Sequence, residues 1–455
     1  MKKINVFLFL ILSVTIGYAQ TAPPAGVDLV QKNLRKHITY LASDKLEGRR
    51  TGTPGATYAA GYIANQFAKL KLRPGATGKN GKAGYLQQFG YTPSALNKAD
   101  ETPKTEKPRT AYNVIGILEG RDKALRGEAI VVGAHYDHLG RGGQGSLVAN
   151  STEIHHGADD NASGTAAIIE LARQFSLAKN NKRTIIFIAF SGEEEGLFGS
   201  KYYANNPVFP IEKTVAMFNL DMVGRLHDNK LTIGGIGSAS EWKELVEKHN
   251  INQAAIIPNS NTGGMTYIKT DVPPLNIFNL TLNEDGVGPS DHASFYLKQM
   301  PVLFFFTGTH LDYHKPSDTA DKINYEGEEN VIAYIAALVK EVDQNPVRPT
   351  YTVAKSSGTG GRVSVSVSLG TIPSYAEFTD GMGIDGVRAG SPADKAGLKA
   401  NDKIVKLAGN DVKNITDYMT AMGTMKAGDE YEVVVKRGGE TLKLKIVPAP
   451  AAPRN

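Results

Sequence analysis

The chain has 455 residues, 41% hydrophobic and 21% charged, a balance that excludes a disordered, collagen-like or many-span membrane protein. With 51 basic against 46 acidic residues the net charge of +5 belongs to a mixed surface, so charge gives no reason to expect a nucleic-acid partner. There are no cysteines, which removes disulfides, thiolate metal sites, a cysteine nucleophile and a lipid-bearing N-terminal cysteine.

The first twenty residues read as a cleavable export signal. Lys2 and Lys3 precede an apolar run, residues 4–16, which is shorter than the roughly 20 residues a helix needs to cross a bilayer. Gly17-Tyr18-Ala19 then ends in a small-x-small pattern. The expectation is a signal peptide over residues 1–19 and an exported protein, periplasmic or secreted, without a stable membrane span.

Residues 20–345 alternate apolar runs with amphipathic segments. The runs at 129–134, 184–190, 214–220 and 301–306 are continuously apolar, as strands buried on both faces are. Ala166, Ile169, Leu171 and Phe175, and later Val331, Ile335, Leu338 and Val339, recur at helical spacing. The pattern predicts an α/β fold, a mostly parallel sheet with helices on both faces, whose ligands sit beyond the carboxyl ends of the strands. Residues 97–110, rich in Lys, Glu, Asp and Pro, read as an exposed loop or hairpin tip. Residues 346–361, through Ser356-Ser-Gly-Thr-Gly-Gly361, have the composition of a flexible linker. Alternation resumes at Arg362-Val-Ser-Val-Ser-Val-Ser-Leu369, so a small β-rich domain is expected over residues 362–447, followed by a tail at 448–455.

Each apolar run of the large domain is followed by acidic or imidazole side chains. His135-Tyr-Asp137, Glu193-Glu194-Glu195, Asp221 and Tyr313-His314 follow the four runs, and Gly157-Ala-Asp159-Asp160-Asn161 precedes a predicted helix. In a parallel sheet these groups converge at one edge, and so many carboxylates stay ionised together only around cations. Two histidines with Asp and Glu, and no thiolate, favour zinc over an all-oxygen magnesium or calcium site, with other divalent ions open. Five candidate ligands exceed one tetrahedral centre with an open position, so two ions sharing a carboxylate fit better.

The ordered motifs His135-Tyr-Asp137, Gly157-Ala-Asp-Asp160-Asn-Ala-Ser-Gly164, Glu193-Glu194-x-Gly196-Leu-x-Gly199-Ser200, Asn219-Leu-Asp221-Met222 and Tyr313-His314-x-x-x-Asp318-Thr319 resemble the secreted di-zinc aminopeptidases, a family that also holds glutamate carboxypeptidases. The likeness covers most of residues 35–345, beginning with Leu41-Ala-Ser-Asp44-x-Leu46-Glu47-Gly48-Arg49. It implies that Asp160 bridges two Zn2+ ions, that His135 and Asp221 complete one site, and that Glu194 and His314 complete the other. It also implies that Glu193 is the general base, that Asp137 orients His135, and that Tyr313 donates to an oxyanion. The glutamate triplet admits a second register, and Asp159 is the alternative bridge. His138, His155, His156 and His310 fall off the family ligand positions and read as solvated or supporting. His292, in Ser290-Asp291-His292, and Asp318 read as substrate-contacting or supporting.

Further on, Gly381-Met-Gly383-Ile384 and Val387-Arg-Ala-Gly390-Ser-Pro-Ala393-x-x-Ala396-Gly397-Leu398 resemble a bacterial PDZ domain. In that family a glycine-flanked loop, here Gly381, Met382, Gly383 and Ile384, receives a peptide C-terminus beside a helix, here residues 416–422. The resulting expectation is an exported two-zinc exopeptidase acting on peptides, an aminopeptidase with Glu193 as base. The alternatives are a carboxypeptidase of the same family, or an inactive binding protein that works through its PDZ-like module.

Overall fold

The computed structural model describes residues 29–78, 81–92, 94–96, 103–105, 108–142, 145–148, 151–251, 276–354, 367–373, 381–387, 390–413 and 415–450. The expected signal peptide lies outside them. No helix among the described residues is long and apolar enough to cross a membrane.

Nine strands form the central sheet. In chain order they are β1 (Arg73–Pro74), β2 (Leu86–Tyr91), β3 (Arg109–Leu118), β4 (Ala129–His135), β5 (Thr184–Phe190), β6 (Thr214–Leu220), β7 (Lys230–Gly234), β8 (Asn279–Leu282) and β9 (Val302–Phe306). Their spatial order is β1-β3-β5-β4-β6-β9-β7-β8, with β2 also on β3. The four central strands β5, β4, β6 and β9 run parallel, while β3 and β7 join them antiparallel. The sheet is thus mixed but mostly parallel at its centre, where the four apolar runs lie.

Alternate residues of those runs enter two different cores, which explains why the runs are continuously apolar. Ile130, Val132, Phe187, Phe218 and Phe305 pack against the helices α1 (Leu29–Leu41), α2 (Pro54–Lys69), α3 (Gly164–Ala178) and the long α7 (Tyr325–Gln344). Val131, Ile186, Ile188, Met217 and Val302 pack on the other face. There they meet Tyr203 of α4 (Phe198–Asn205) and Phe295 and Tyr296 of α6 (His292–Tyr296). The remaining helix of this body, α5 (Trp242–His249), seats Trp242 in the first core.

The registers align the carboxyl ends of the central strands. His135 pairs with Phe190, Gly133 with Asn219, and Leu220 with Phe305. The segments that leave β4, β5, β6 and β9 therefore start from one edge, and they are the segments that carry the acidic and imidazole motifs.

Residues 97–102 lie outside the described residues, but the strands flanking them, Ser94–Leu96 and Pro103–Thr105, pair as a hairpin. Residues 346–354 differ from the flexible linker that their composition predicts. Arg183 donates to the carbonyls of Val342, Asn345 and Pro346 at the end of α7, and Glu128 binds both Arg183 and Arg348. Tyr351 forms a β-bridge with Ala239, and Thr352 bonds the carbonyls of Ser238 and Gly237 at 3.0 and 2.7 Å. Ala354 is buried in the second core, where its N–H donates to the Tyr296 hydroxyl. The physical reason is that backbone hydrogen bonds, the Arg348–Glu128 ion pair and the Tyr351–Tyr296 contact hold the strap through partners distant in sequence, which its own composition does not register.

The C-terminal region has its own core and its own sheet. Its main strands are β10 (Met382–Val387), β11 (Lys403–Leu407), β12 (Tyr431–Arg437) and β13 (Glu440–Ile446), joined by helices α8 (Pro392–Lys395) and α9 (Ile415–Gly423). Met382 and Ile384 point into that core together with Leu398, Tyr418 and Val433. The Gly381 and Ile384 N–H groups donate to the carbonyls of Lys413 and Asp402, so they are engaged within the module. Gly381 has φ +150°, and a Cβ there would meet the Ile404 carbonyl at 2.8 Å, which is why this position is glycine.

Candidate metal centre

The centre is assembled from four loops leaving the sheet and one kinked helix start. Asn161 fastens two of these together. Its side-chain oxygen accepts from Gly164 and Met222 N–H, and its amide donates to the Leu220 carbonyl. The residue after Asp160 thus fixes the strand end that carries Asp221. Arg49, completely buried, donates to the carbonyls of Leu41, Tyr136, His156 and Gly157, which ties the His135 segment to the Asp160 segment. Burial pulls this guanidinium down to about 10, against the opposing pull of Asp160 and Asp137.

Asp160 stands between two histidines. Its Oδ1 lies 3.4 Å from His135 Nε2 and its Oδ2 lies 3.2 Å from His314 Nε2. Asp221 Oδ1 approaches His135 Nε2 at 3.2 Å, and Glu194 Oε2 approaches His314 Nε2 at 3.3 Å. Zinc–ligand bonds of about 2.0–2.1 Å in tetrahedral geometry set neighbouring donor atoms about 3.3 Å apart, so these separations fit two ions that share Asp160.

The imidazole tautomers agree with this fit. His135 Nδ1 donates to the Asp137 carbonyl at 3.2 Å, and His314 Nδ1 donates to the Gly145 carbonyl at 2.8 Å. A carbonyl only accepts, so Nδ1 carries the proton in each ring and both Nε2 atoms face the carboxylates, where a ligand atom would have to be. Burial alone pushes the His314 imidazole down, but Glu194 and Asp160 outweigh it and raise it to about 11. His135 is raised in the same way by Asp221 and Glu193 against its burial. The cluster therefore draws positive charge to its centre.

The surrounding carboxyls differ sharply. Burial, then Asp221, Glu194 and Asp291, push the Glu193 carboxyl well above the usual range, against His135. Glu194 feels the same burial but is held well below that range by His314 and His138. Glu195 turns outward and pairs with Arg50 at 2.9 Å, so the inward acid pair of the triplet is Glu193 with Glu194. Asp159 points away from the two histidines, accepting from Gly224 N–H at 2.7 Å and lying 3.2 Å from His310.

The expected role of Asp137 takes a different form here. The Asp137 carboxylate is 3.9 Å from the His135 ring nitrogen, and it instead accepts from the Thr51 hydroxyl and the Glu193 N–H. Its backbone carbonyl orients the imidazole, while its side chain fixes the backbone of Glu193. Asp318 accepts from the N–H groups of both Asp159 and Asp160, clamping the backbone of the aspartate that stands between the two histidines. The Tyr313 ring stacks on His314 at 3.9 Å. His292 is completely buried and stacks on Phe304 at 4.5 Å, which leaves it no exposed surface for a substrate. His155 and His156 bond Ser146 and Asp44 outside the centre.

One of the histidines read as solvated or supporting lies at the centre itself. His138, fully buried, lies with Asp160 and Glu194 in a second group able to hold a metal, beside the group of His135, Asp160 and Asp221. Its spacing from His135 was the available signal, an imidazole three residues on along the same loop.

Residues 113–339 match the family model described as Peptidase family M28, and residues 364–447 match that of a PDZ domain. The chain belongs to peptidase family M28. Among curated relatives, this M28 chain is 26% identical over 252 residues to Aminopeptidase YwaD of Bacillus subtilis, covering 53% of this chain and 47% of that protein. It is 28% identical over 264 residues to Leupeptin-inactivating enzyme 1 of Streptomyces exfoliatus, covering 57% and 50%. The M28 chain thus spans about half the length of these relatives. A solved zinc aminopeptidase from Bacillus subtilis aligns at 18% identity and TM-score 0.49 over 72% of this chain and 99% of that one.

Proposed function

We propose that this M28 chain is an exported two-zinc exopeptidase that removes N-terminal residues from peptides, with Glu193 as general base. The observation that carries the reading is the placement of Asp160, whose two oxygens face His135 and His314 at ligand-to-ligand separations. His135, Asp221 and Asp160 would hold one ion, and Glu194, His314 and Asp160 the other. Bound there, the ions polarise a peptide carbonyl and acidify water.

The protein's own groups supply the proton handling. Glu193, buried beside His135 and Asp221, takes a proton from the attacking water and returns it to the leaving nitrogen as the C–N bond breaks. The Asp137 carboxylate, through the Glu193 N–H, holds that residue in register. An aminopeptidase is preferred to a carboxypeptidase because a curated relative bears that name. Export rests on residues 1–19, and peptide binding by the C-terminal module rests on its match to PDZ domains.

Asp160→Asn tests the shared-ligand reading. It should abolish high-affinity uptake of both ions together with peptide hydrolysis, whereas Asp221→Asn should weaken one ion. A chain that keeps two tightly bound ions after Asp160→Asn contradicts it.

A further inference from the structure

We infer that His138 is a positioning residue that fixes the Glu194 carboxylate for the second ion without itself binding that ion. The inference rests on the two-ion reading above. Its basis is a difference in spacing among the histidines of the centre. His135 and His314 stand 3.2–3.4 Å from the carboxylates they face, the separation of two donors on one zinc. His138 Nδ1 stands 2.7 Å from Glu194 Oε1, which is a charge-assisted hydrogen bond and too close for two ligands of one ion. Its separation from Asp160 Oδ2, 3.8 Å, is longer than those of the ligating pairs.

The two oxygens of Glu194 are thereby divided. Oε1 accepts from His138, and Oε2 faces His314. A carboxylate free to rotate could offer either oxygen, or both, and the hydrogen bond removes that freedom before an ion arrives. His138 is itself immobile. Its ring is fully buried, and Gly157, with φ +57°, passes so close that a Cβ at that position would press on the ring at 2.5 Å. The loop that begins with His135 therefore serves both ions, through a ligand at its first residue and through a hydrogen-bond donor at its fourth.

The test uses the full mature chain stripped of metal and titrated with zinc against a chromophoric chelator. His138→Asn keeps an N–H near the position of Nδ1, while His138→Ala removes it. The expected result is two ions in the wild type, affinities within about threefold of wild type in His138→Asn, and one ion weakened roughly 10–100-fold in His138→Ala, the usual cost of losing a ligand's outer partner. The affected ion is identified in a His314→Ala background, where adding His138→Ala should change the remaining affinity little. Equal loss in Asn and Ala would make His138 a ligand and overturn the inference. So would unchanged affinities in His138→Ala, or equal weakening of both ions with a lowered melting temperature, which marks a general packing defect. A wild-type chain that takes up only one ion would overturn the two-ion reading itself, so the two failures are distinguishable.

Discussion

The backbone N–H of Ala354 donates to the hydroxyl of Tyr296 at 2.9 Å, which joins the last described residue of the strap to the last residue of α6. The other end of α6 begins at His292, next to Asp291 and Ser290, and Ser290 receives a hydrogen bond from Asn219, two residues before Asp221. The strap therefore belongs to the peptidase body and braces a segment that reaches the metal centre.

Truncation separates the strap from the module that follows it. Ending the chain after Ala354 should leave the melting temperature of the peptidase body and its hydrolysis of a small aminoacyl amide unchanged. Ending it after Asn345 exposes Tyr296 and removes the buried Ala354 and half-buried Tyr351, which should cost about 3 kcal/mol in thermal or denaturant unfolding. Equal stability of the two truncations would show that the strap contributes nothing.

Glu193→Gln keeps the shape of the side chain and removes its basicity. The proposed ligand set does not include this residue, so zinc content should stay at the wild-type level while kcat falls by on the order of 10²–10⁴. Retention of near-normal turnover would move the base elsewhere.

A buried neutral histidine sets an acid limit on stability. His37, in α1, is pulled down to about 4 by burial and then by Lys36, and its ring nitrogen bonds the Tyr62 hydroxyl at 2.8 Å. The unfolded chain takes up a proton near pH 6.5 that the folded chain refuses until about pH 4, so stability falls as pH drops through that window. The loss from this group should approach roughly 3 kcal/mol, and His37→Gln should flatten the slope between pH 7 and 4 by that share, leaving the share of His292, which burial pulls down to about 3. An unchanged slope in the variant would assign the acid limit to other groups.

The sequence made the central strands and the main inward residues legible for a shared reason. A strand buried on both faces has no polar alternation, so 129–134 and 184–190 stand out, and groups just past such strands must gather at one edge. For His138 the sequence left solvated and supporting roles open, because its partner Glu194 is 56 residues away and the contact depends on how two loops turn. The same holds for Asp137, where motif position names the residue but only geometry shows its backbone carbonyl serving His135 and its carboxylate serving Glu193 N–H. Residues 346–354 look like a linker because Pro346, Arg348, Pro349 and Thr350 are polar or helix-breaking, whereas the packing comes from Tyr351, Ala354 and backbone bonds.

Hydrolysis of matched free-amine and N-acetylated dipeptides by the purified chain, with zinc determined on the same sample, tests the account most directly. The prediction is cleavage of the free-amine substrates alone by a protein holding about two zinc ions per chain. Comparable cleavage of the N-acetylated substrates, or no cleavage of either by the zinc-loaded chain, would contradict it.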